Sequence, residues 1–215
     1  MQKILVTGGA GFIGSNFVEM FSDRYEITVL DKLTYAGRME NLEQVKGKIK
    51  FEKGDICDKK TVEPLMKQTD AVINFAAESH VDRSILEPES FVKTDVLGAF
   101  VLLDCAKERG IEKFVQISTD EVYGSVESGK SKETDELKPS SPYSASKAGA
   151  DRLAYSYYYT FGLPVCITRA SNNYGKRHFP EKLIPLCITN LIQGKKVPVY
   201  GDGLNKRDWL FAEDN

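Results

Sequence analysis

Thr7-Gly8-Gly9-Ala10-Gly11-Phe12-Ile13-Gly14-Ser15 decides the fold of this chain. The stretch follows an apolar, β-branched run at residues 3–6 and precedes apolar residues at helical spacing. Its glycines permit a tight turn, let the backbone approach a pyrophosphate, and let the helix pack closely on the strand. Unpaired N–H groups at the start of the helix favour phosphate oxygens. The stretch therefore predicts a strand, a loop and a helix that together bind a dinucleotide.

An acidic residue, Asp31, ends the next apolar run, Ile27-Thr28-Val29-Leu30. It stands about twenty residues beyond the glycines, where a carboxylate hydrogen-bonds a free ribose diol and repels a 2′-phosphate. This spacing predicts NAD rather than NADP as the cofactor. The alternative is an ordinary solvated aspartate at the end of a strand.

The composition limits the kinds of partner that we expect. The chain has 215 residues, of which 41% are hydrophobic, enough for one domain core and part of a second. Its 29 basic and 31 acidic residues nearly balance, and no long basic run occurs, so we expect no nucleic acid and no membrane surface as partner. Met1 leads directly into the first strand, and no apolar run approaches the roughly 20 residues that span a bilayer.

The cysteines and histidines argue against covalent or metal cross-links. Cys57, Cys105, Cys166 and Cys187 are scattered without a close pair, which is typical of reduced thiols in a cytoplasmic protein. Only two histidines are present, so we expect no metal site.

Strand-like and helical segments alternate along the first two thirds of the chain. Apolar runs at 49–52, 71–77 and 113–117 add three strands, and helical periodicity separates them, most clearly at 88–110. This alternation predicts an α/β fold with a parallel, doubly wound sheet and right-handed crossovers. Small residues end the fourth strand, at the edge where such sheets bind ligands.

Candidate chemistry begins where the fifth strand ends, in Ser118-Thr119-Asp120-Glu121. Two adjacent carboxylates beside a hydroxyl can serve acid and base steps on one small substrate. Adjacent carboxylates are also often merely solvated, so the pair needs support from its surroundings.

That support comes from Pro142-Tyr143-Ser144-Ala145-Ser146-Lys147, which reads as a helix start with Ser141 as its cap. Tyr143 and Lys147 are four residues apart and share one helix face. The ammonium, the helix dipole and a positive nicotinamide all favour tyrosinate, so we expect the Tyr143 phenol to ionise near pH 7. Such a base beside a hydride acceptor suits the oxidation of an alcohol.

With these motifs in place, the chain resembles the extended short-chain dehydrogenase/reductases that act on nucleotide sugars. The resemblance runs from residue 3 to residue 215, through Ala76-Ala77-Glu78-Ser79-His80-Val81-Asp82-Arg83-Ser84 and Ser171-Asn172-Asn173-Tyr174-Gly175. The Asp120-Glu121 pair favours the 4,6-dehydratases, because related epimerases and decarboxylases generally lack it. A C4 epimerase, a decarboxylase and a non-catalytic NAD-binding module stay open as alternatives.

The resemblance implies a reaction on dTDP-glucose that consumes no net cofactor. Tyr143 takes the proton of the sugar 4-hydroxyl while hydride passes from C4 to NAD; Thr119 bonds that hydroxyl, and Lys147 holds the cofactor and the tyrosine. Glu121 then removes the C5 proton, Asp120 protonates the departing C6 hydroxyl, and hydride returns to C6. Asp120 can act as an acid near neutral pH only if its pKa is raised, which burial and its carboxylate neighbour would both do.

The resemblance also implies the binding residues. Those expected to line NAD are Gly8, Gly11, Phe12, Ile13, Gly14, Asp31, Lys32, Leu33, Thr34, Asp55, Ile56, Ala76, Ala77, Thr94, Tyr143, Lys147 and Asn173. Those expected to hold the nucleotide sugar are Ser79, Thr119, Asn172, Lys182, Leu183, Pro198, Val199, Tyr200, Asn205 and Arg207. The chain departs from the family pattern at Asp95, where relatives more often have Asn, and at Lys176-Arg177, where a Pro–aromatic pair is usual.

The domain prediction follows from the same comparison. We expect residues 1–170 to form an NAD-binding Rossmann domain that carries the catalytic residues, and residues 171–215 to begin a smaller, incomplete nucleotide-sugar domain. A chain of this length should then bind the cofactor but turn over the sugar poorly. Family habit implies a homodimer through the helices at 88–110 and 142–162.

Overall fold

A computed structural model describes residues 1–215, and a six-stranded sheet is its main element. Every adjacent pair of strands is parallel, in the order β3-β2-β1-β4-β5-β6. The strands are β1 Lys3–Thr7, β2 Glu26–Asp31, β3 Lys50–Lys53, β4 Ala71–Asn74, β5 Lys113–Thr119 and β6 Val165–Ala170. This is the Rossmann order. The prediction of a parallel, doubly wound α/β sheet is confirmed, and β6 is a strand that the sequence reading did not identify.

Helices connect these strands and cover both faces of the sheet. The α-helices are α1 Phe12–Phe21, α2 Lys59–Met66, α3 Val81–Leu86, α4 Pro88–Phe91, α5 Ala99–Arg109, α6 Pro142–Phe161 and α7 Leu183–Ile192. Shorter 3₁₀ turns lie at Met39–Val45, Asp120–Tyr123 and Ala212–Asp214, and a π-helical segment, Val92–Gly98, joins α4 to α5.

The strand order reverses at β1, which pairs with β2 on one side and with β4 on the other. Successive side chains of a strand point to opposite faces, so Leu5 of β1 enters one core cluster and Val6 enters the other. The larger cluster lies under α2, α5 and α6, and the smaller one lies under α1. The crevice beyond the carboxyl ends of β1 and β4 is where such sheets bind ligands.

The helix boundaries follow the chemistry of their ends. Ser141 and Ser144 form a reciprocal capping box at the start of α6, with Pro142 in the first turn. Asp58 caps α2, whose backbone accommodates Pro64 inside the helix. α5 ends at Gly110, which has a φ of 65°. The predicted Ser141 cap is confirmed, but the expected single helix at 88–110 is interrupted by the π-helical segment.

The C-terminal stretch adds a second, two-stranded sheet. Its strands are β7 Asn172–Tyr174 and β8 Trp209–Phe211, which pair in parallel. α7 lies between them and contains no buried residue. The four cysteines form no disulfide, and no helix is both long and apolar enough to cross a membrane.

Candidate active site

A cavity of about 430 Å³ lies at the carboxyl end of the six-stranded sheet, within the range of small-molecule sites. Every residue predicted to line NAD contributes to its wall except Leu33. The predicted catalytic and sugar-binding residues that reach it are Ser79, Thr119, Glu121, Tyr143, Lys147, Asn172, Lys182 and Leu183. Those that do not reach it are Asp120, Pro198, Val199, Tyr200, Asn205 and Arg207.

The glycine loop forms one wall and has room for backbone alone. Gly8 has a φ of 68°, and a Cβ there would lie 2.5 Å from the Ala76 backbone nitrogen. A Cβ on Gly14 would lie 2.4 Å from the Gly8 carbonyl oxygen. α1 starts after Gly11 without a side-chain cap or an acidic first turn. Its free N–H groups are therefore available to an anion in the cavity.

Asp31 also organises the loops around it. Its Oδ2 accepts the Ala10 N–H at 2.9 Å, and its Oδ1 accepts the Leu33 N–H at 2.8 Å. Burial raises the pKa of Asp31, and these two bonds oppose the rise. Each carboxylate oxygen has further lone-pair capacity for a ribose hydroxyl. Leu33 itself, with a φ of 56°, packs against the core rather than into the cavity.

Thr119 holds both members of the carboxylate pair. The 3₁₀ turn at Asp120–Tyr123 follows β5 directly. The Thr119 hydroxyl accepts the Glu121 N–H at 3.2 Å and donates to Asp120 Oδ1 at 3.2 Å. The end of the strand therefore fixes the start of the turn.

Burial is the main cause that raises the pKa of both carboxyl groups. The raised pKa predicted for Asp120 is confirmed, but the neighbouring charge that adds to it is Asp208 rather than Glu121. The Asp120 charge also raises the pKa of Glu121, while Lys182 and Arg207 lower it. Both carboxyl groups therefore release their protons at a higher pH than exposed carboxyl groups do.

Tyr143 is partly buried, with the Phe91 ring edge-on to its own at 6.3 Å. Burial raises the pKa of the Tyr143 phenol, and the charges of Glu121 and Asp95 raise it further. Lys147, the expected activator, donates to the Ile117 carbonyl oxygen at 2.7 Å. The protein's own groups raise the pKa of the phenol, so the prediction that Tyr143 ionises near pH 7 is wrong for the protein by itself. The four-residue spacing indicates that Lys147 lies near Tyr143. It does not indicate the burial of Tyr143 or the nearby charges of Glu121 and Asp95.

A set of contacts that the sequence did not predict lies beside the cavity, whose wall includes Ser79, Glu181 and Lys182. Arg83 of α3 lies 3.7 Å from the centre of the Tyr35 ring and forms a salt bridge of 3.3 Å with Glu181. Burial, and then the charge of Glu181, raise the pKa of Tyr35 to about 12. Lys182, the next residue, donates to the Ser79 carbonyl oxygen at 2.5 Å. These residues come from three distant segments, so no local sequence pattern indicates their contact.

A second unpredicted network braces the turn that carries the carboxylates. Asp151 is fully buried and accepts from Arg169 Nε at 2.7 Å. Arg169 Nη1 in turn donates to the Tyr123 hydroxyl at 2.6 Å. Helix α6, strand β6 and the 3₁₀ turn are thereby tied together behind the cavity.

The segment 198–207 lies apart from the cavity. Val199 is 70% exposed and Tyr200 is 68% exposed. Arg207 is the member of this set whose charge reaches the site, since it lowers the pKa of Glu121. No group of three or more potential metal-ligating side chains is present.

Comparisons with known proteins agree with this geometry. The family model described as GDP-mannose 4,6 dehydratase matches residues 5–215. A dTDP-glucose 4,6-dehydratase of Streptomyces antibioticus is 53% identical over 222 residues, an alignment that covers 100% of this chain and 66% of that protein. The chain therefore spans about two thirds of the length of this curated relative.

Two solved structures show the fold in related proteins. A dTDP-glucose 4,6-dehydratase of Streptomyces venezuelae, solved with NAD bound, has a TM-score of 0.95 at 49% identity, over 99% of this chain and 69% of that chain. A UDP-glucose 4-epimerase of Thermotoga maritima has a TM-score of 0.92 at 31% identity, over 99% and 70%. The fold is thus shared by dehydratases and epimerases, so the fold alone does not distinguish the two activities. A distinction has to come from the Asp120–Glu121 pair.

Proposed function

The chain belongs to the GDP-mannose 4,6-dehydratase family, and from this premise we propose that it is an NAD-dependent nucleotide-sugar 4,6-dehydratase acting on dTDP-glucose. The observation that carries the proposal is the half-buried Asp120–Glu121 pair, held by Thr119 at the end of β5. An epimerase needs no acid and base of this kind, because it expels no water. The 53% identity to a protein named dTDP-glucose 4,6-dehydratase supports the choice of sugar nucleotide.

The residues present fit NAD. Gly8 and Gly14 leave a cradle that a Cβ would fill, and α1 begins there without a cap. Buried polar atoms without a partner, Ser118 Oγ and Asn173 Oδ1, belong to residues of the same cavity wall. Asp31 would bond the adenosine ribose, and Lys147 would hold the nicotinamide side. When bound, NAD supplies a hydride acceptor that can later return the hydride.

Tyr143 is assigned to take the proton of the sugar 4-hydroxyl. Its raised pKa means that the neutral phenol is the resting form, so the positive charge of Lys147 must favour the phenolate during the reaction. The Thr119 hydroxyl, which lines the cavity, is assigned to orient the same sugar hydroxyl.

The carboxylate pair then handles the two protons of the elimination. A ketone at C4 acidifies the C5–H bond, and Glu121 takes this proton from its place in the cavity wall. Asp120 does not itself line the cavity but is hydrogen-bonded to Thr119, which does; it is assigned to give a proton to the C6 hydroxyl, which leaves as water while the C5–C6 double bond forms. One proton is taken and one is given, so the pair ends the step with its total charge unchanged.

Separating the steps tests the assignment. Purified protein with NAD and dTDP-glucose should yield a 4-keto-6-deoxy sugar; an inverted sugar would instead support an epimerase. Tyr143→Phe should block NADH formation, and Glu121→Gln should allow NADH to form but abolish exchange of the C5 proton with solvent deuterium. Asp120→Asn should permit oxidation while slowing water loss. General acid–base roles contribute about 10²–10⁴ in rate, so each defect should be large.

The pattern across the variants decides the outcome. Simple destabilisation would depress every step together, and thermal unfolding of each variant would reveal it. Glu127→Gln, in the exposed loop at 127–141, is a matched control that should leave all steps unchanged. Normal water elimination in both Asp120→Asn and Glu121→Gln would make the pair structural and overturn the assignment.

Domain organisation, assembly and location belong to the same proposal. We propose that residues 1–170 form the cofactor domain and that residues 171–215 begin the nucleotide-sugar domain, in a cytoplasmic protein. A homodimer would cover an exposed apolar groove on the helices at 88–110 and 142–162, where Val92, Leu97 and Phe100 are 56%, 45% and 43% exposed. Sedimentation of Phe100→Glu should show a monomer, whereas Tyr200→Glu, an equal change elsewhere, should leave the dimer intact.

A further inference from the structure

Asp95 is a buried carboxylate that the proposed mechanism does not use. It lies in the π-helical segment, is 3% exposed, and makes two hydrogen bonds to neutral groups. Its Oδ1 accepts the Glu78 N–H at 2.9 Å, and its Oδ2 accepts the Ser146 hydroxyl at 2.6 Å. It therefore connects the segment that follows β4 to the turn of α6 that carries Lys147.

The contacts around Asp95 fix this segment against α6. The ring of Phe91, one turn earlier, packs on Tyr143. Val96 packs so closely on Gly149 that a Cβ there would lie 3.1 Å from Val96 Cγ2. Since π-helical segments are rare and often occur at functional sites, this placement of a carboxylate calls for an explanation.

Lys147 has a charge without an ion pair. Its side chain is 5% exposed, and its ammonium donates to a neutral group, the Ile117 carbonyl oxygen. Burial lowers the pKa of Lys147, and the charges of Asp95 and Asp151 oppose this. Burial favours the neutral amine of a lysine, and nearby negative charge favours the ammonium.

Of these two carboxylates, Asp151 is already compensated. Its Oδ1 accepts from Arg152 and Arg169, and its Oδ2 accepts from Arg169, at 2.6–3.1 Å. Asp95 receives only an N–H and an O–H, so no cation contacts its carboxylate, which is bonded to Ser146, the neighbour of Lys147 in the chain. The other groups that act on this site are Glu78, which raises the pKa of Asp95, and Glu121 and Asp120, which act on Tyr143.

We propose that Asp95 is the counter-ion of Lys147, a positioning residue whose carboxylate keeps the buried ammonium charged. The proposal rests on the proposed function in one respect: that function gives the positive charge of Lys147 a role beside Tyr143. Burial raises the pKa of Asp95 to about 6, so the carboxylate is ionised at neutral pH and above. Below that pH, Lys147 loses its compensating charge.

The geometry allows the charge to be removed without loss of hydrogen bonds. The Ser146 hydroxyl lies 2.6 Å from Asp95 Oδ2 and 2.8 Å from the Tyr143 carbonyl oxygen, and its single proton can point to either. An asparagine at position 95 can accept from Glu78 N–H and donate to Ser146, whose own proton then goes to Tyr143. Asp95→Asn is thus a change of charge at constant shape.

Titration of Lys147 in the NAD-bound protein tests the proposal. The Cε resonance of ¹³C-labelled lysine, assigned with Lys147→Arg, reports the pKa of that ammonium up to pH 11.5. Asp95→Asn should lower this pKa by about one unit, the size of a single nearby charge. Ser146→Ala, which removes a hydrogen bond but not the charge, should leave it near wild type. Asp23→Asn, which removes an exposed carboxylate paired with Lys48, is the matched charge control.

Two outcomes would overturn the proposal: an unchanged or higher Lys147 pKa in Asp95→Asn, or an equal fall in Ser146→Ala. Should Asp95→Asn fail to fold, the wild-type protein decides by itself. Its Lys147 resonance should show a step near pH 6 as Asp95 ionises, and a flat response there contradicts the pairing.

NAD binding measured against pH separates this proposal from the assigned function. If Lys147 holds the cofactor, NAD affinity should fall at high pH as the ammonium loses its proton. In Asp95→Asn this fall should begin at a lower pH than in the wild-type protein. A lowered Lys147 pKa with an unshifted NAD profile would contradict the cofactor role of Lys147 and still support Asp95 as its counter-ion.

Discussion

The region around the six-stranded sheet and the stretch from 171 to 215 bury their apolar residues very differently. Every buried hydrophobic side chain except that of Ala212 lies before residue 171. In α7, by contrast, Leu191 is 65% exposed and Ile192 is 81% exposed. Stability therefore resides in the sheet region, whereas the C-terminal stretch serves the cavity through a few polar and aromatic contacts.

Those contacts are specific although they are few. His178 stacks on Phe12 of the glycine loop, with ring centres 4.4 Å apart. Arg177, at a φ of 67°, forms an ion pair with Glu19 of α1. The two regions thus differ in what holds them: close packing in one, and single side-chain contacts in the other. Each prediction below tests this contrast, beginning with the largest effect.

Gly14→Ala should have the largest effect, because the new Cβ would lie 2.4 Å from a backbone oxygen and 2.9 Å from Gly9 Cα. Neither atom can move without distorting the loop, so we expect NAD affinity to fall by about a hundredfold or more, together with a lower melting temperature. Calorimetric titration and thermal unfolding measure the two effects. Gly47→Ala, with nothing within 4 Å of the added atom, is the control that should change neither.

Two leucines compare the regions directly. Leu102 is fully buried in α5, and Leu102→Ala should lower the free energy of unfolding by about 2–5 kcal/mol. Leu191→Ala, the same change in α7, should stay within about 0.5 kcal/mol. Urea unfolding of both variants measures the difference. Similar losses in the two would show that α7 is packed and would remove the contrast.

Most of the sheet region could be predicted because its signals are local. The glycine loop, the Ser141 cap and the apolar runs of β1 and β2 each specify their structure within a few residues. β6 was missed because its short apolar start, Val165-Cys166-Ile167, is followed directly by Thr168 and Arg169, and none of its residues is fully buried. No apolar run extends over the whole strand.

Most residues of the cavity wall could be predicted, although Asp120 and the stretch 198–207 do not reach it, but the electrostatics of the site could not be predicted. Tyr143, Lys147 and Glu121 meet at one cavity as their motifs indicated. The direction of the Tyr143 pKa was not predictable, because it depends on burial and on Asp95, which is 48 positions away in the chain. The contact of Arg83 with Tyr35 likewise follows from the folding of distant segments and not from spacing.

Within the sheet region, Asp31 is the residue that should determine the choice between NAD and NADP. NAD should bind at least about tenfold more tightly than NADP, because a 2′-phosphate would face the buried Asp31 carboxylate. Titration of both cofactors measures this ratio. Equal affinities would contradict the placement of the ribose at the end of β2. Arg177→Lys, in the C-terminal stretch, should leave the ratio unchanged even if it weakens both cofactors.

The smallest effect should come from His178, one of the contacts that join the two regions. Burial, with a smaller contribution from Lys182, lowers the pKa of His178 to about 4, and its Nδ1 has no hydrogen-bond partner. The folded protein thus favours the neutral ring, while the unfolded chain takes up the proton near pH 6.5. The stability from this residue is fully present above about pH 6.5 and is lost as the pH falls towards 4.

His178→Phe retains an aromatic ring on Phe12 and removes the titrating group. We expect similar stability to wild type at pH 7.5 and an advantage on the order of 1 kcal/mol at pH 4.5, since the partial exposure of His178 limits the effect. Urea unfolding at pH intervals from 7.5 to 4.5 measures both curves. If the curves run parallel, the protonation of His178 is not coupled to folding. The C-terminal stretch would then contribute even less to stability than its few contacts suggest.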